Sequence, residues 1–302
     1  MANLYTYSAT NKRKTWFLMT GFFIFIIIIG YFFAVAMDMP EILILAVVLS
    51  MAMSMVSYWY SDKIVLSMSG AKEVSRDNGR ELYRLVENLC IAAGLPLPKI
   101  YIIEDPSPNA FATGRNPKNA AIAVTTGLLG KLEKVELEGV IAHELSHVGN
   151  RDILIATIAT ILVGVIVLLA DLFWRWSFFG GRRSRDSKNG GAIIMVLAII
   201  FAILAPIFAQ LLKLAISRKR EFAADADAAL LTRHPEGLAR ALEKISQDNN
   251  TLRRTNRATA HMYIISPLSN GNQDNKVSWF SKMWMTHPPT NERIAKLRAT
   301  RY

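Results

Sequence analysis

The sequence predicts a multi-pass, mainly α-helical membrane protein that carries a mainly helical soluble domain with a small β-sheet. Three observations predict it. The hydrophobic residues, 52% of the 302, are gathered into runs long enough to cross a bilayer. Between and after these runs lie polar stretches with the spacing of amphipathic helices and short strands. A histidine pair, "HELSH" at residues 143–147, stands at the entry to one of the apolar runs.

The apolar runs come in two pairs. Residues 16–37 are 22 uncharged residues and 42–60 are 19 more, joined by the link "DMPE". That link is too short for anything but a hairpin, so 1–60 is expected to form an N-terminal membrane hairpin. The first run is too long and too aromatic for a signal peptide, and no small-residue cleavage site follows it; it is expected to stay as an anchor. "NKRK" at 11–14 precedes the first run, whereas the link carries Asp38 and Glu41. The positive-inside rule then places the N-terminus in the cytoplasm and "DMPE" outside. A second membrane hairpin is expected over 153–212, with spans 153–170 and 192–212 and Pro206 inside the latter.

The net charge of +11 would hint at nucleic acid in a soluble protein. No nucleic-acid motif accompanies it here. The charge is expected to flank the spans, holding their orientation and meeting anionic lipid. The lone cysteine, Cys90, excludes an internal disulfide and a cysteine-based zinc site. It lies in "ENLCIAAGL" and is expected to be buried filler.

Residues 61–152 read as the first part of the soluble domain and 213–302 as the second. In "EVSRDNGRELYRLVENLCIAAG", Leu82, Leu85, Val86, Leu89 and Cys90 fall on one helical face. Gly94, Pro96 and Pro98 end that helix. "KIYII", "NAFATG" and "NAAIAVTT" follow as strands, the last two separated by the turn "RNPK". An antiparallel sheet packed on helices is the simplest arrangement. Residues 133–152 then form a helix that carries "HELSH" and is expected to run on into the next apolar stretch.

His143 and His147 are four residues apart, so a helix projects both imidazoles from one face. They can hold one zinc ion, with Glu144 beside them to take a proton from a bound water. The surrounding "VIAHELSHVG" is otherwise apolar, and polar groups there cost free energy unless they have partners. Two histidines leave zinc one protein ligand short. His234 and His261 have no partner at helical spacing and read as surface or loop residues. In "SRKREFAADADAALL", Glu221 and Asp225 are four apart on a predicted helix. One carboxylate can bind the metal and the other can stand behind a ligand histidine. Spacing alone fits an ordinary amphipathic helix with solvated acids equally well.

"AHELSH", "SRKREFAADADA" beyond an apolar hairpin, and "THPPTNERI" near the end resemble the HtpX family of bacterial membrane zinc metalloproteases, relatives of the CAAX prenyl endopeptidases. The resemblance spans essentially the whole chain. It implies a gluzincin-type domain in which His143, His147 and Glu221 bind one Zn²⁺, Glu144 is the catalytic base and Asp225 supports the site. It further implies a protease of the bacterial inner membrane that cleaves unfolded or damaged membrane proteins; "NKRK" before the first span and an even number of crossings place its catalytic domain in the cytoplasm. It places His287 near the metal; there the residue is an oxyanion donor, a resting ligand, or a turn histidine with no role, held by the two prolines that follow it. "NAFATG" (Asn109, Ala110, Phe111 and onward) is either a plain hairpin strand or an exposed edge on which substrate pairs its backbone.

If His147 and Glu221 touch one metal, the chain between them leaves and returns on the same side, as two spans would do. The loop with Arg175, Arg182, Arg183 and Arg185 then lies outside, against the positive-inside bias. A hairpin that never fully crosses is the alternative. The rival function is a zinc-containing membrane scaffold or sensor that cuts nothing; Glu144 argues against it, since a structural site needs no base.

Overall fold

The computed structural model describes residues 4–37, 39–162, 164–165, 218–248, 250, 262–264 and 288–300. Helix α1 (Leu4–Met37) contains the first expected span, and its window Arg13–Tyr31 is long and apolar enough to cross a membrane. Helix α2 (Glu41–Trp59) coincides with the second. It bends by 82° into α3 (Ser61–Met68), and the two pass the same length and composition test only together. The other expected hairpin is described only at its start. The Arg-rich loop, residues 192–212, His261 and His287 lie outside the described residues.

The domain between begins with β1 (Lys72–Glu73) and α4 (Arg80–Ala93). All five apolar positions read from the sequence are buried on α4, and Gly94, at φ +64, closes the helix in the left-handed conformation. Strands β2 (Lys99–Ile103), β3 (Ala110–Gly114) and β4 (Ala120–Thr125) complete a four-stranded sheet of order β1-β2-β4-β3.

The sheet is mixed, not antiparallel. β3 and β4 form the expected antiparallel hairpin, but β4 lies parallel to β2. The segment after β2 carries the chain past β4's place to the outer edge, and β4 returns between its neighbours. Both faces of the sheet are covered, which is why "AAIAVT" is buried at every position. Ile100, Ala110, Ala112, Ile122 and Val124 pack in the main core with α4. Phe111, Ala121 and Ala123 pack on the other side with Val65 and Leu66 of α3.

After α5 (Thr126–Lys131), helix α6 (Lys134–Gly149) carries the histidine pair. Its start is fixed where Glu136 accepts the Glu133 N–H at 2.9 Å and Lys244 donates to the same carboxylate at 2.8 Å. Val140, Ile141 and Leu145 are fully buried, each worth about 1.5–3 kcal/mol of apolar burial. The helix does not run on into the apolar stretch. It stops at Gly149, Arg151 takes φ +58, and α7 (Asp152–Leu162) begins as a separate helix. Helices α8 (Arg218–Thr232) and α9 (Pro235–Ser246) pack on α6, and α10 (Thr290–Ala299) packs on both of them to close the core.

Candidate active site

His143 and His147 lie one turn apart on the same face of α6, and their Nε2 atoms are 3.2 Å apart. Glu221, on the first turn of α8, brings Oε1 to 3.6 Å from His147 Nε2 and Oε2 to 3.8 Å from His143 Nε2. Atoms sharing a tetrahedral zinc at bonds of 2.0–2.1 Å lie about 3.3 Å from one another. The three side chains are therefore already spaced for such an ion. They are buried or half-buried: His143 is 1% exposed and Glu221 6%.

The far side of each imidazole faces a carboxylate, hydrogen-bonded at His147 and within ion-pair distance but off the hydrogen-bond line at His143. His143 Nδ1 is 3.0 Å from Asp225 Oδ1, and His147 Nδ1 is 3.1 Å from Asp152 Oδ2. A carboxylate at Nδ1 keeps the proton there and leaves the Nε2 lone pair facing inward. Two inward lone pairs and a carboxylate meeting in one small space repel one another unless a cation lies between them. The donor set thus fits a divalent metal with nitrogen and oxygen ligands.

Charges follow from this crowding. Burial pushes the Glu144 carboxyl above its ordinary range; His143, His147 and the Ala112 N–H that donates to it pull part of the way back. Burial opposes protonation of His147, yet the Asp152 carboxylate and the charges of Glu221 and Glu144 outweigh it and lift the imidazole to about 9, so these surroundings favour a cation at Nε2, either a proton or a metal ion that displaces it. Burial also raises Asp225, but the Arg293 guanidinium overrides it and holds the carboxyl at about 2.

Two residues of the site were not read from the sequence. Asp152 passes there for the boundary of the apolar run, and only the break at Arg151 folds it back onto His147. Arg293 is 1% exposed and clasps Asp225 with two bonds, Nε to Oδ2 at 2.9 Å and Nη2 to Oδ1 at 2.7 Å. Its Nη1 also donates to the Ile264 carbonyl at 3.1 Å and lies 3.9 Å from Glu221 Oε2. One signal could have found it: it sits four residues before buried Leu297, on the inner face of α10.

The remaining expected site residues are placed as follows. β3 is an edge strand running beside α6, with Ala110 and Phe111 fully buried. The Ala110 carbonyl accepts the Ile264 N–H at 3.1 Å, and Asn109 Oδ1 accepts the Ala110 N–H. His234 is exposed, at the start of α9.

A His-Glu-x-x-His helix packed against a second helix that supplies a carboxylate is the arrangement of a metallopeptidase. Relatives agree with that class. A model of Peptidase family M48 matches residues 76–301. A "Protease HtpX homolog" of Dictyoglomus turgidum is 47% identical over 96% of this chain and 92% of its own. Another of that name, from Listeria monocytogenes serotype 4a, is 45% identical over 97% and 99%. The crystal structure of S. mikatae Ste24p shares the fold, with a TM-score of 0.50, 19% identity, and coverage of 98% of this chain and 67% of that one. The chain belongs to peptidase family M48 and is a metalloendopeptidase of the HtpX kind.

Proposed function

We propose that this chain is a multi-pass membrane protease that binds one zinc ion through His143, His147 and Glu221 and cleaves unfolded or damaged membrane proteins. The observation that carries the reading is the convergence of His143 Nε2, His147 Nε2 and a Glu221 oxygen within 4.8 Å of one another, with Asp225 and Asp152 behind the two rings. Zinc, when bound, supplies Lewis-acid polarisation of the scissile carbonyl and a water of lowered pKa. Glu144 takes the proton of the attacking water and delivers it to the leaving amine. Its raised proton affinity suits a group that must hold the proton between taking it from water and releasing it to the amine. Substrate pairs its backbone along β3, where the Ile264 N–H on the Ala110 carbonyl marks the kind of bond it makes. Such pairing reads little sequence, as degradation of damaged proteins requires. His287 completes the site as an oxyanion donor.

The domain lies at the cytoplasmic face, with 1–60 and 153–212 as its membrane hairpins. Exposed apolar side chains on the first two helices, such as Phe17, Ile44, Leu45 and Val48, support a lipid-facing surface. The N-terminal end of α1 and the start of α7 meet beside the site, where Asn11 bonds Asp152. This agrees with the N-terminus and the "HELSH" helix sharing one side of the membrane. The test is digestion of casein by the full chain purified in detergent. Cleavage is expected, lost with a zinc chelator and restored by added zinc. Cleavage indifferent to the chelator, or none under any metal condition, contradicts the proposal.

A further inference from the structure

We propose that Asn11, on the first membrane-length helix, is a positioning residue of the metal centre, so that α1 is a part of the site as well as an anchor. The proposal rests on the reading that His143, His147 and Glu221 hold the metal.

The geometry begins at Asp152. Its Oδ2 faces His147 Nδ1 at 3.1 Å. Its Oδ1 accepts the Asn11 side-chain amide at 2.7 Å and Arg220 Nη1 at 3.3 Å. The same Asn11 amide donates to the Asn150 carbonyl at 3.2 Å, at the break between α6 and α7. Asn11 is 2% exposed and Asp152 7%. A buried amide is rarely left in an apolar helix without a partner, because it loses its water. Here its partner is the carboxylate that orients a ligand histidine.

The contact has a defined consequence. Asn11 makes the shorter of the two bonds to Oδ1, 2.7 Å against 3.3 Å from Arg220, and so contributes most to stopping the carboxylate from rotating about its Cβ–Cγ bond. Without Asn11, Oδ1 keeps the longer Arg220 contact, and the carboxylate is free to turn toward that cation and away from His147. The imidazole then loses the bond that fixes its tautomer and plane. The rest of α1 holds Asn11 in place: Leu18, Met19, Phe22, Phe25 and Ile26 pack in one apolar cluster with Leu154, Ile155, Ile158 and Leu162 of α7. Residue 11 lies well outside the 76–301 segment that the family model matches, so the membrane helix adds this support to the protease domain.

The test measures zinc affinity, by competition with a chromophoric chelator, in the full-length protein in detergent. Asn11→Leu is expected to weaken zinc binding roughly 10-fold, at the low end of outer-partner effects. Asn11→Asp, which sets a second carboxylate against Asp152, should weaken it further. Thr15→Val, one turn along α1 and bonded to the Asn11 carbonyl rather than to Asp152, should stay within about twofold of wild type. The swap Asn11→Asp with Asp152→Asn restores an amide–carboxylate pair and should bind zinc more tightly than Asn11→Asp alone. A merely structural asparagine would lower the melting temperature in all variants without this pattern. If Asn11→Leu fails to fold, Asn11→Asp and the swap decide. Wild-type affinity in Asn11→Leu and Asn11→Asp, or no recovery in the swap, overturns the proposal. Wild-type protein that holds no zinc, or Glu221→Ala that keeps it, overturns the metal-site reading instead.

Discussion

Five side chains from three helices, His143, His147, Asp152, Glu221 and Asp225, gather around one point, and the consequence of removal depends on whether a side chain faces the metal position or stands behind a ring. On the proposed ligand set, Glu221→Ala takes away a ligand, and the purified protein is expected to lose its zinc. Asp225→Asn and Asp152→Asn leave all three ligands but loosen a ring, so zinc should bind about 10- to 100-fold more weakly. Elemental analysis and chelator competition separate the two outcomes; zinc retained by Glu221→Ala and lost by Asp225→Asn would reverse the assignment. Cys90 stands at the other extreme. It is 3% exposed, and burial, with Glu87 adding to it, pushes its thiol up to about 11. The thiolate is the reactive form. Cys90 should therefore stay unreacted with a disulfide reagent at pH 7.5 in the folded protein and react fully once denatured. Fast reaction in the folded state would show that α4 is not packed as described.

Helix α6 can reach its partners only because one of its residues has no side chain. A Cβ on Gly139 would lie 2.7 Å from the Leu238 nitrogen and 2.9 Å from its Cα, both backbone atoms of α9. Gly139→Ala must push the two helices apart, at a cost of about 1–3 kcal/mol. Thermal unfolding should show a melting temperature lower by several degrees; an unchanged one would deny the close approach. The elements themselves were legible wherever the cue was local. The α4 stripe, the two N-terminal runs and the strands of the β3–β4 hairpin follow from periodicity and turn residues within a few positions. The "HELSH" pair was legible because one helix turn sets its geometry. What escaped depends on distant partners. The parallel pairing of β2 and β4 is decided by which strand both layers of helices cover. The break at Arg151 is stabilised by what Asp152 then touches. Arg293 meets Asp225 across 68 residues of sequence; its spacing from Leu297 marks the inner face of α10, but no local pattern names a counter-charge that lies in another helix.

At the scale of the whole chain, the site is assembled from segments on both sides of apolar runs, so topology and chemistry constrain each other. With the N-terminus and the protease domain on the cytoplasmic side, a cysteine replacing the exposed Asp77 should label with an impermeant reagent only after cells are opened. A cysteine replacing Ser184 should label in intact cells if the second hairpin crosses fully. Labelling of the Asp77 position from outside would reject the cytoplasmic placement. The central claim is that Glu144 acts on a proton while His143, His147 and Glu221 hold the metal, and one variant addresses it most directly. Glu144→Gln keeps the shape of the side chain and all three ligands but removes the base. Zinc content and casein cleavage are to be measured on the same preparation. The account predicts zinc near one per chain, as in wild type, with cleavage abolished; substantial cleavage by zinc-loaded Glu144→Gln would contradict it.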